Sequence, residues 1–278
     1  MDDCQLEIRN GPHLYQVGPM VAQTEECNYY TCEADGEREC LLQIATDVSQ
    51  NGTVSRNAHV LQEFLRRSDE LEAEYAKVRE NPKSTLRYNF GFPELVDSFV
   101  SEEQGHRRVN ILAFRNVAKV GQMVPLSNLR DRDGLRVDLR TSAWIMGKAL
   151  KMLVFAHICN GVAVNDVSGD NILIDPDQHY VVIFDWGGSK LFPEEKVSGD
   201  IARAEITQLA RTIIKALGAN PETGAIPDDG KEKCEEYKAY LTQLACGKER
   251  SAKRAHEEFY RIVDSLWKGF YPFTTLPL

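Results

Sequence analysis

The sequence has no apolar run close to the ~20 residues that a membrane-spanning helix needs. No basic and apolar signal-peptide pattern follows its first residue, Met1. It is also short of positive charge, because 33 Lys and Arg face 42 Asp and Glu, for a formal net charge of −9. These shortages argue against a transmembrane protein, an anionic-membrane binder and a general nucleic-acid binder. A soluble globular chain of one or two domains fits the 278 residues and their 42% hydrophobic content.

The cysteines lack the spacing of a metal or disulfide framework. There are seven, an odd number, and they are scattered without a Cys-x-x-Cys pair or a nearby His cluster. The pattern argues against a structural zinc site and against a set of disulfides. A reducing compartment suits such cysteines, and we therefore expect a cytoplasmic protein.

The most informative stretch contains two short apolar runs, Ile172–Ile174 and Val181–Phe184, on either side of an Asp-Pro-Asp turn. This pattern predicts a β-hairpin. Asp166 and Asn171 precede its first strand, and Asp185 follows its second. Because a hairpin brings its two ends together, we expect these three side chains to converge.

Two carboxylates and an amide oxygen in one place suit a hard cation such as Mg²⁺, which prefers oxygen ligands and often shares its shell with phosphates. The alternative is an ordinary hairpin whose turns contain Asp and Asn, residues that are common in turns. Spacing, strand context and residue type together favour the cation site.

The same residues resemble a motif of the protein-kinase family. In that family an Asp is followed five residues later by an Asn, and an Asp-Phe-Gly follows a short hairpin. Asp166 and Asn171 have this spacing, and Asp185-Trp186-Gly187 stands where Asp-Phe-Gly would be. The resemblance implies that Asp166 is the catalytic Asp and that Asn171 and Asp185 are Mg²⁺ ligands. It also implies ATP and Mg²⁺ as cofactors.

The resemblance extends over about residues 14–268 and implies an α+β, bilobal protein-kinase-like fold in a single domain. Residues 1–116 would form a five-stranded β N-lobe with an αC-type helix, and residues 117–278 a mainly helical C-lobe. Strands are predicted at 15–22, 28–34, 40–45, 92–100 and 108–114, and a helix at 57–80 that Ser68-Asp69 divides in one interpretation. The main C-lobe helices are predicted at 138–157, 200–218, 231–246 and 249–268.

Several positions depart from the kinase pattern. The stretch Ala22–Asn28 has no glycine where a kinase has its Gly-rich loop. Gln43 aligns with the Lys that holds the α- and β-phosphates, and no Lys occurs before Lys77. The alternative is that Gln43 is a solvent-facing strand residue in a shifted register. Val164-Asn165 replaces the usual His-Arg, and only Gly188–Gly199 separates Asp-Trp-Gly from the next helix.

The resemblance also suggests supporting residues. Glu70 or Glu74 could serve as the αC glutamate, although a solvated acidic face is the better account of either. Asp200 could cap its helix and brace the catalytic loop, as a helix Asp does in kinases. His157, at the end of a long amphipathic helix, is interpreted as a packing or capping residue rather than a base. The apolar tail, residues 270–278, is expected to pack on a lobe.

Two classes of function follow. The first is an atypical kinase-like phosphotransferase, similar to minimal bacterial or phage kinases, that uses Mg-ATP to phosphorylate a hydroxyl acceptor on a protein. The alternative is a pseudokinase that acts as a nucleotide-binding or protein-interaction module without phosphoryl transfer. Another ATP-dependent transfer, such as adenylylation, is a third possibility. The expected partners are a nucleotide and a protein, not nucleic acid or a membrane.

Overall fold

A computed structural model describes residues 6–192, 196–223, 225–227, 234–269 and 272–278. The chain forms two compact units. One contains Met1–Met123 and Asp185–Gly188, and the other contains Val124–Phe184 and Ser189–Leu278. The lobe boundary expected at residue 116 lies a few residues before the first break between the units. The return of Asp185–Gly188 to the first unit was not anticipated.

The first unit contains one antiparallel sheet in the strand order β1-β2-β3-β4-β6-β5. Its elements are β1 (Leu6–Asn10), β2 (His13–Gln23), β3 (Cys27–Ala34), β4 (Arg38–Ala45), α1 (Asn51–Val78), β5 (Glu94–Ser101) and β6 (Arg107–Ala113). The five predicted strands are present, but the sheet has six. The additional strand, β1, pairs with β2. The strand is short, its apolar alternation is limited to Leu6-Glu7-Ile8-Arg9, and only Ile8 is buried.

The helix α1 is a single helix of 28 residues, so the predicted division at Ser68-Asp69 does not occur. Its buried side chains recur at helical spacing, with Val54, Ala58, Leu61 and Phe64 on one face. Each of the larger side chains, Val54, Leu61 and Phe64, contributes about 1.5–3 kcal/mol when it leaves water. This continuous apolar face explains why Ser68, itself buried, does not interrupt the helix.

The second unit is mainly helical. Its helices are α2 (Leu126–Asp131), α3 (Leu139–Val154), α4 (Gly199–Ala216), α5 (Glu235–Ala245) and α6 (Ala252–Leu266). Its short strands are β7 (Val124–Pro125), β8 (Leu135–Val137), β9 (Val162–Ala163), β10 (Ile172–Asp175), β11 (Tyr180–Ile183), β12 (Lys190–Leu191) and β13 (Thr275–Pro277). The predicted hairpin is confirmed as β10 and β11, which pair from Ile172↔Ile183 to Asp175↔Tyr180.

The central helix α3 is capped by Asp138, whose side chain accepts a hydrogen bond from the Thr141 amide at 2.7 Å. It runs into a π-helical turn, Phe155–Cys159. Contrary to the expectation from the sequence, Leu139–Cys159 is long and apolar enough to cross a membrane by length and composition. In this fold, however, 67% of its most apolar 18-residue stretch is buried inside the protein, as in the core helix of a globular domain.

The chain ends on the second unit. Strand β13 pairs with β8 from Thr275↔Val137 to Pro277↔Leu135, and Leu278 donates its amide to the carbonyl of Gly134. The expected packing of the tail on a lobe is therefore found for residues 273–278. Residues 270 and 271, and residues 231–233 at the start of a predicted helix, lie outside the described part of the chain.

Candidate functional site

In the second unit, the loop that precedes the hairpin brings Asp166 and Asn171 together. Phe184 donates its amide to the carbonyl of Asn171 at 3.0 Å, which extends the ladder by one step. Asn171 is buried, and its Nδ2 donates to the carbonyl of Asp166 at 2.8 Å, folding the intervening loop back on itself. Asp185 follows Phe184 in the chain and belongs to the first unit. The convergence of all three side chains remains a prediction.

The Asp166 carboxylate accepts hydrogen bonds from neutral donors. Its Oδ1 accepts from the Ser168 amide at 2.9 Å and from Gln208 Nε2 at 3.0 Å. Its Oδ2 accepts from Ser168 Oγ at 3.1 Å. These three hydrogen bonds fix the orientation of the carboxylate, and none of their donors is a cation.

Helix α4 holds this loop through residues that the sequence reasoning missed. Glu205 Oε1 accepts from the Asn165 amide at 2.8 Å, and Gln208 Oε1 accepts from the Val167 amide at 2.9 Å. Thr212 Oγ1 donates to the Val167 carbonyl at 3.1 Å. Polar residues at i, i+3 and i+7 on a helix share one face. Such a stripe on an otherwise apolar face could have pointed to the bracing role.

The bracing role expected of Asp200 is therefore wrong, and so is its capping role. Ser198 caps α4, with its Oγ accepting from the Ile201 amide at 3.4 Å. Asp200 is exposed and pairs instead with Arg250 at 2.7 Å and with Arg203 at 3.2 Å. The error came from starting the helix at Asp200, two positions after the residue that caps it.

His157 supports the same loop from behind. Its Nε2 hydrogen bonds with Glu205 Oε2 at 2.5 Å, and both side chains are about 95% removed from solvent. Glu205 in turn holds Asn165, whose φ of 74° is unusual for a residue with a side chain. The buried His157–Glu205 contact therefore supports a backbone position of positive φ just before Asp166.

In the first unit, Gln43 lies in the centre of the sheet, opposite Tyr29 on β3 and Asn110 on β6. It is fully buried, so it is not a solvent-facing residue. Its Nε2 donates to the Tyr29 hydroxyl at 2.9 Å, and its Oε1 accepts from Asn57 Nδ2 and Asn110 Nδ2, both at 2.8 Å. We call Gln43, Asn57, Asn110 and Tyr29 the amide cluster.

The α1 partner of Gln43 is Asn57, and neither proposed glutamate occupies that place. Glu70 is exposed and pairs with Arg66 and Arg67, while Glu74 is exposed. Asn57 also accepts the Trp186 amide on its Oδ1 at 3.1 Å. The signal for Asn57 was a polar residue on the apolar face of α1. It was missed because the predicted helix began at Asn57 itself, and glutamates were sought further along.

The amide cluster reaches the Asp-Trp-Gly motif through Tyr29. The Tyr29 hydroxyl donates to Asp185 Oδ2 at 2.5 Å, and the Gly187 amide donates to Asp185 Oδ1 at 2.7 Å. Burial, and then the charge of Asp185, raise the pKa of Tyr29 well above its usual value. Tyr29 therefore stays protonated and acts as the donor to this carboxylate.

The rest of the motif is anchored by packing. Trp186 is fully buried and meets Phe64 of α1 edge to face, with ring centroids 4.6 Å apart. Arg56 donates to the Gly187 carbonyl at 3.0 Å. A Cβ on Gly187 would lie 2.8 Å from Thr53 Cγ2, so this position requires glycine.

The residues implied as Mg²⁺ ligands fit the ion in type, because Asn171 offers an amide oxygen and Asp185 a carboxylate. Among the residues that the structure describes, no group of three or more His, Cys, Asp and Glu side chains could hold a metal. Both oxygens of Asp185 accept hydrogen bonds, from Tyr29 and Gly187. A metal on Asp185 Oδ2 would have to compete with a buried hydroxyl for that oxygen.

The comparisons with known proteins bear on the fold. No family model and no curated protein matches the sequence. Among solved structures, the chain is similar to vaccinia related kinase 3, with a TM-score of 0.60 and 13% identity over 94% of this chain and 90% of that one. The chain has a protein-kinase-like fold. At this identity the similarity concerns the fold alone, and the expected kinship with bacterial or phage kinases stays a prediction.

The amide cluster can be tested by restoring a charged pair. Gln43→Lys alone buries an unpaired cation, and Asn57→Glu alone buries an unpaired anion. We expect each to lower the free energy of unfolding by about 3–5 kcal/mol. In the double variant the two charges pair, and we expect a favourable coupling of about 1–3 kcal/mol in urea denaturation.

The matched control combines Gln43→Lys with Glu70→Gln, which alters a glutamate on the exposed side of the same helix. We expect no coupling there. Additive effects for Gln43→Lys and Asn57→Glu would show that the two side chains are not in contact.

Proposed function

We propose that this chain is a pseudokinase, a kinase-like binding module that does not transfer phosphoryl groups. The observation that carries the proposal is the hydrogen bond from Tyr29 to Asp185, backed by the buried Gln43. In a kinase, the equivalent of Asp185 binds the metal, and a Lys at the position of Gln43 binds the phosphates of ATP. In this chain Asp185 accepts a hydrogen bond from a hydroxyl group, and an amide side chain replaces the Lys.

The missing charge weakens nucleotide binding. A hydrogen bond to a charged group contributes about 1.5–3 kcal/mol, and a neutral one about 0.5–1.5 kcal/mol. The Gln43 amide, moreover, is already shared among Tyr29, Asn57 and Asn110. Since ~1.4 kcal/mol is tenfold in affinity, the loss of the cation alone lowers ATP affinity by about one decade.

The Tyr29 hydroxyl adds a second penalty. Tyr29 is 4% exposed, so a metal that displaced its hydroxyl from Asp185 would leave a buried donor without that acceptor. Such a loss costs about 1–3 kcal/mol. Metal binding at Asp185 is therefore weakened by a further factor of about ten to a hundred.

As a binding module, the protein would act on a protein partner in the cytoplasm. Three buried cysteines, Cys27, Cys32 and Cys40, support this location because they remain thiols. The net charge of −9 argues against nucleic acid and anionic membranes as partners.

A second candidate function is the Mg-ATP-dependent phosphotransferase. The observation in its favour is the intact loop, in which Asn171 holds the Asp166 carbonyl and α4 braces the flanking amides. In that function Asp166 would accept or orient the proton of a hydroxyl acceptor on a protein. Asn171 and Asp185 would hold the Mg²⁺ that neutralises the phosphates of ATP. Adenylylation would need the same nucleotide site.

Thermal shift with nucleotide separates the two functions. A ligand that binds only the native state raises the melting temperature. We expect millimolar ATP to give no Mg²⁺- or Mn²⁺-dependent shift with the wild-type protein. A clear Mg²⁺-dependent shift that disappears in Asp185→Ala would instead establish the metal-nucleotide site and favour the phosphotransferase.

The Tyr29 hydroxyl can be removed without changing the shape of its ring. We expect Tyr29→Phe to gain a divalent-cation-dependent shift with ATP that the wild type lacks, because Asp185 Oδ2 is released. The control is Tyr15→Phe, which removes a buried hydroxyl bonded to Asp97 Oδ2 at 2.7 Å elsewhere in the sheet. If both variants behave like the wild type, Tyr29 does not limit metal binding.

Asp166→Asn tests the chemistry of any residual transfer. If phosphotransfer is detected, loss of a general base should lower turnover by ~10²–10⁴ while leaving nucleotide affinity nearly unchanged. Under the pseudokinase proposal, wild type and Asp166→Asn are equally inactive. Turnover that is measurable and equal in both proteins would contradict both functions as assigned to this residue.

A further inference from the structure

A cleft of about 670 Å³ lies along helix α4 in the second unit. One wall is a continuous stripe of α4 side chains: Arg203, Ala204, Thr207, Gln208, Arg211, Thr212 and Lys215. Other lining residues are Pro221, Glu222, Ala245 at the end of α5, and the following Cys246 and Gly247. The residues of the stripe recur every four positions, so they lie on one side of α4 for most of the length of the helix.

The charge of this cleft opposes that of the chain. Among the residues that the structure describes, it is lined by three cations, Arg203, Arg211 and Lys215, and by one anion, Glu222. Arg203 also pairs with the exposed Asp200 at 3.2 Å. The whole chain has a formal net charge of −9. Arg203 and Arg211 keep 44% and 46% of their side chains exposed. A concave surface of positive charge on an acidic protein selects an anionic ligand by electrostatic complementarity.

The spacing of the cations indicates an elongated ligand. With a rise of about 1.5 Å per residue, Arg203 and Arg211 stand ~12 Å apart along α4, and Arg203 and Lys215 ~18 Å. A single phosphate cannot reach across such a span. An extended peptide advances about 3.3 Å per residue, so about five or six residues match it.

The cleft already accommodates a carboxylate. Glu222 lies 3.7 Å from Arg211 and is 72% exposed, so it is held loosely. Arg211 also donates its Nε to the Ala245 carbonyl at 3.2 Å, which fixes the guanidinium against the end of α5. Lys215 pairs with no carboxylate in the described part of the chain. The site thus has one anchored guanidinium with a replaceable partner, and one cation open to a ligand.

The cleft adjoins the Asp166 loop. Ser168 and Gln208 line it, and both donate hydrogen bonds to the Asp166 carboxylate. A ligand in the cleft would therefore contact residues that position Asp166.

We propose that this cleft binds an extended, acidic segment of a partner protein. The proposal rests on the binding-module function and specifies its ligand. It does not require the nucleotide site, so peptide binding and nucleotide binding can be tested independently. Nucleic acid is disfavoured because a polyanion with one charge per ~1.7 Å of duplex would be repelled by the acidic remainder of the chain. A short acidic peptide carries few charges beyond those that the cations of the cleft neutralise, so the acidic remainder of the chain repels it less.

The test uses a fluorescently labelled peptide of ten residues, rich in Glu, titrated with the full chain and followed by anisotropy. We expect saturable binding that the double variant Arg203→Glu/Lys215→Glu weakens by at least ~10-fold. The control, Lys77→Glu/Lys83→Glu, changes the net charge equally on exposed residues of the first unit. Lys77 and Lys215 both lie in the last turn of a helix, so their effects on helix stability are matched.

Two further readouts locate the peptide. Glu222→Gln removes the competing carboxylate and should tighten binding by ~3-fold. Cys246 lines the cleft and is exposed, so the peptide should slow its alkylation but not that of Cys159. The proposal is overturned by an absence of binding at millimolar peptide, by equal losses in the two double variants, or by unprotected Cys246. Tighter binding of a single-stranded oligonucleotide than of the peptide would likewise overturn it in favour of nucleic acid.

Discussion

The hydrogen bond between Tyr29 and Asp185 is the interaction on which the polar interior of the first unit depends. It joins a residue of the sheet to a carboxylate more than 150 residues later in the sequence. Tyr29 is aimed at this carboxylate by Gln43, and Gln43 is fixed in turn by amides from α1 and β6. Every donor and acceptor in this chain of contacts is neutral except Asp185. Because buried polar groups are stable only when satisfied, each member constrains the next.

The kinase-like fold is thus maintained by a different chemistry from the one its motif suggests. A Lys and a Glu at positions 43 and 57 would form a buried ion pair, whose desolvation cost is large. The Gln and Asn found there pair without that cost. In the second unit the loop that contains Asp166 is also held by hydrogen bonds. Glu205 and Gln208 bond to the loop, and His157 bonds to Glu205. Retention of this architecture is therefore compatible with binding as well as with catalysis.

The parts of the structure that depend on local sequence were predictable. The hairpin, the long α3 and five strands followed from apolar runs and turn residues, to within a few positions. The parts that depend on partners far apart in the sequence were not. The sequence around Asn57 does not indicate that it binds Gln43. The sequence around Glu205 likewise does not indicate that it binds the Asn165 amide. Likewise, β1 forms because β2 offers a free edge, although its own sequence buries only Ile8. At Asp200, an acidic residue in the first helical turn was taken for the cap that Ser198 provides.

The position of Trp186 has a consequence for how the chain can be divided. The chain passes between the two units after Met123, after Phe184 and after Gly188. A fragment that ends at Met123 would therefore lack the indole that covers Phe64 and the amide that satisfies Asn57. Cleavage after Met123 alone would not free a complete first unit, because residues 185–188 would remain within its structure. The two units are compact in space but are not separable as autonomous segments of the gene product.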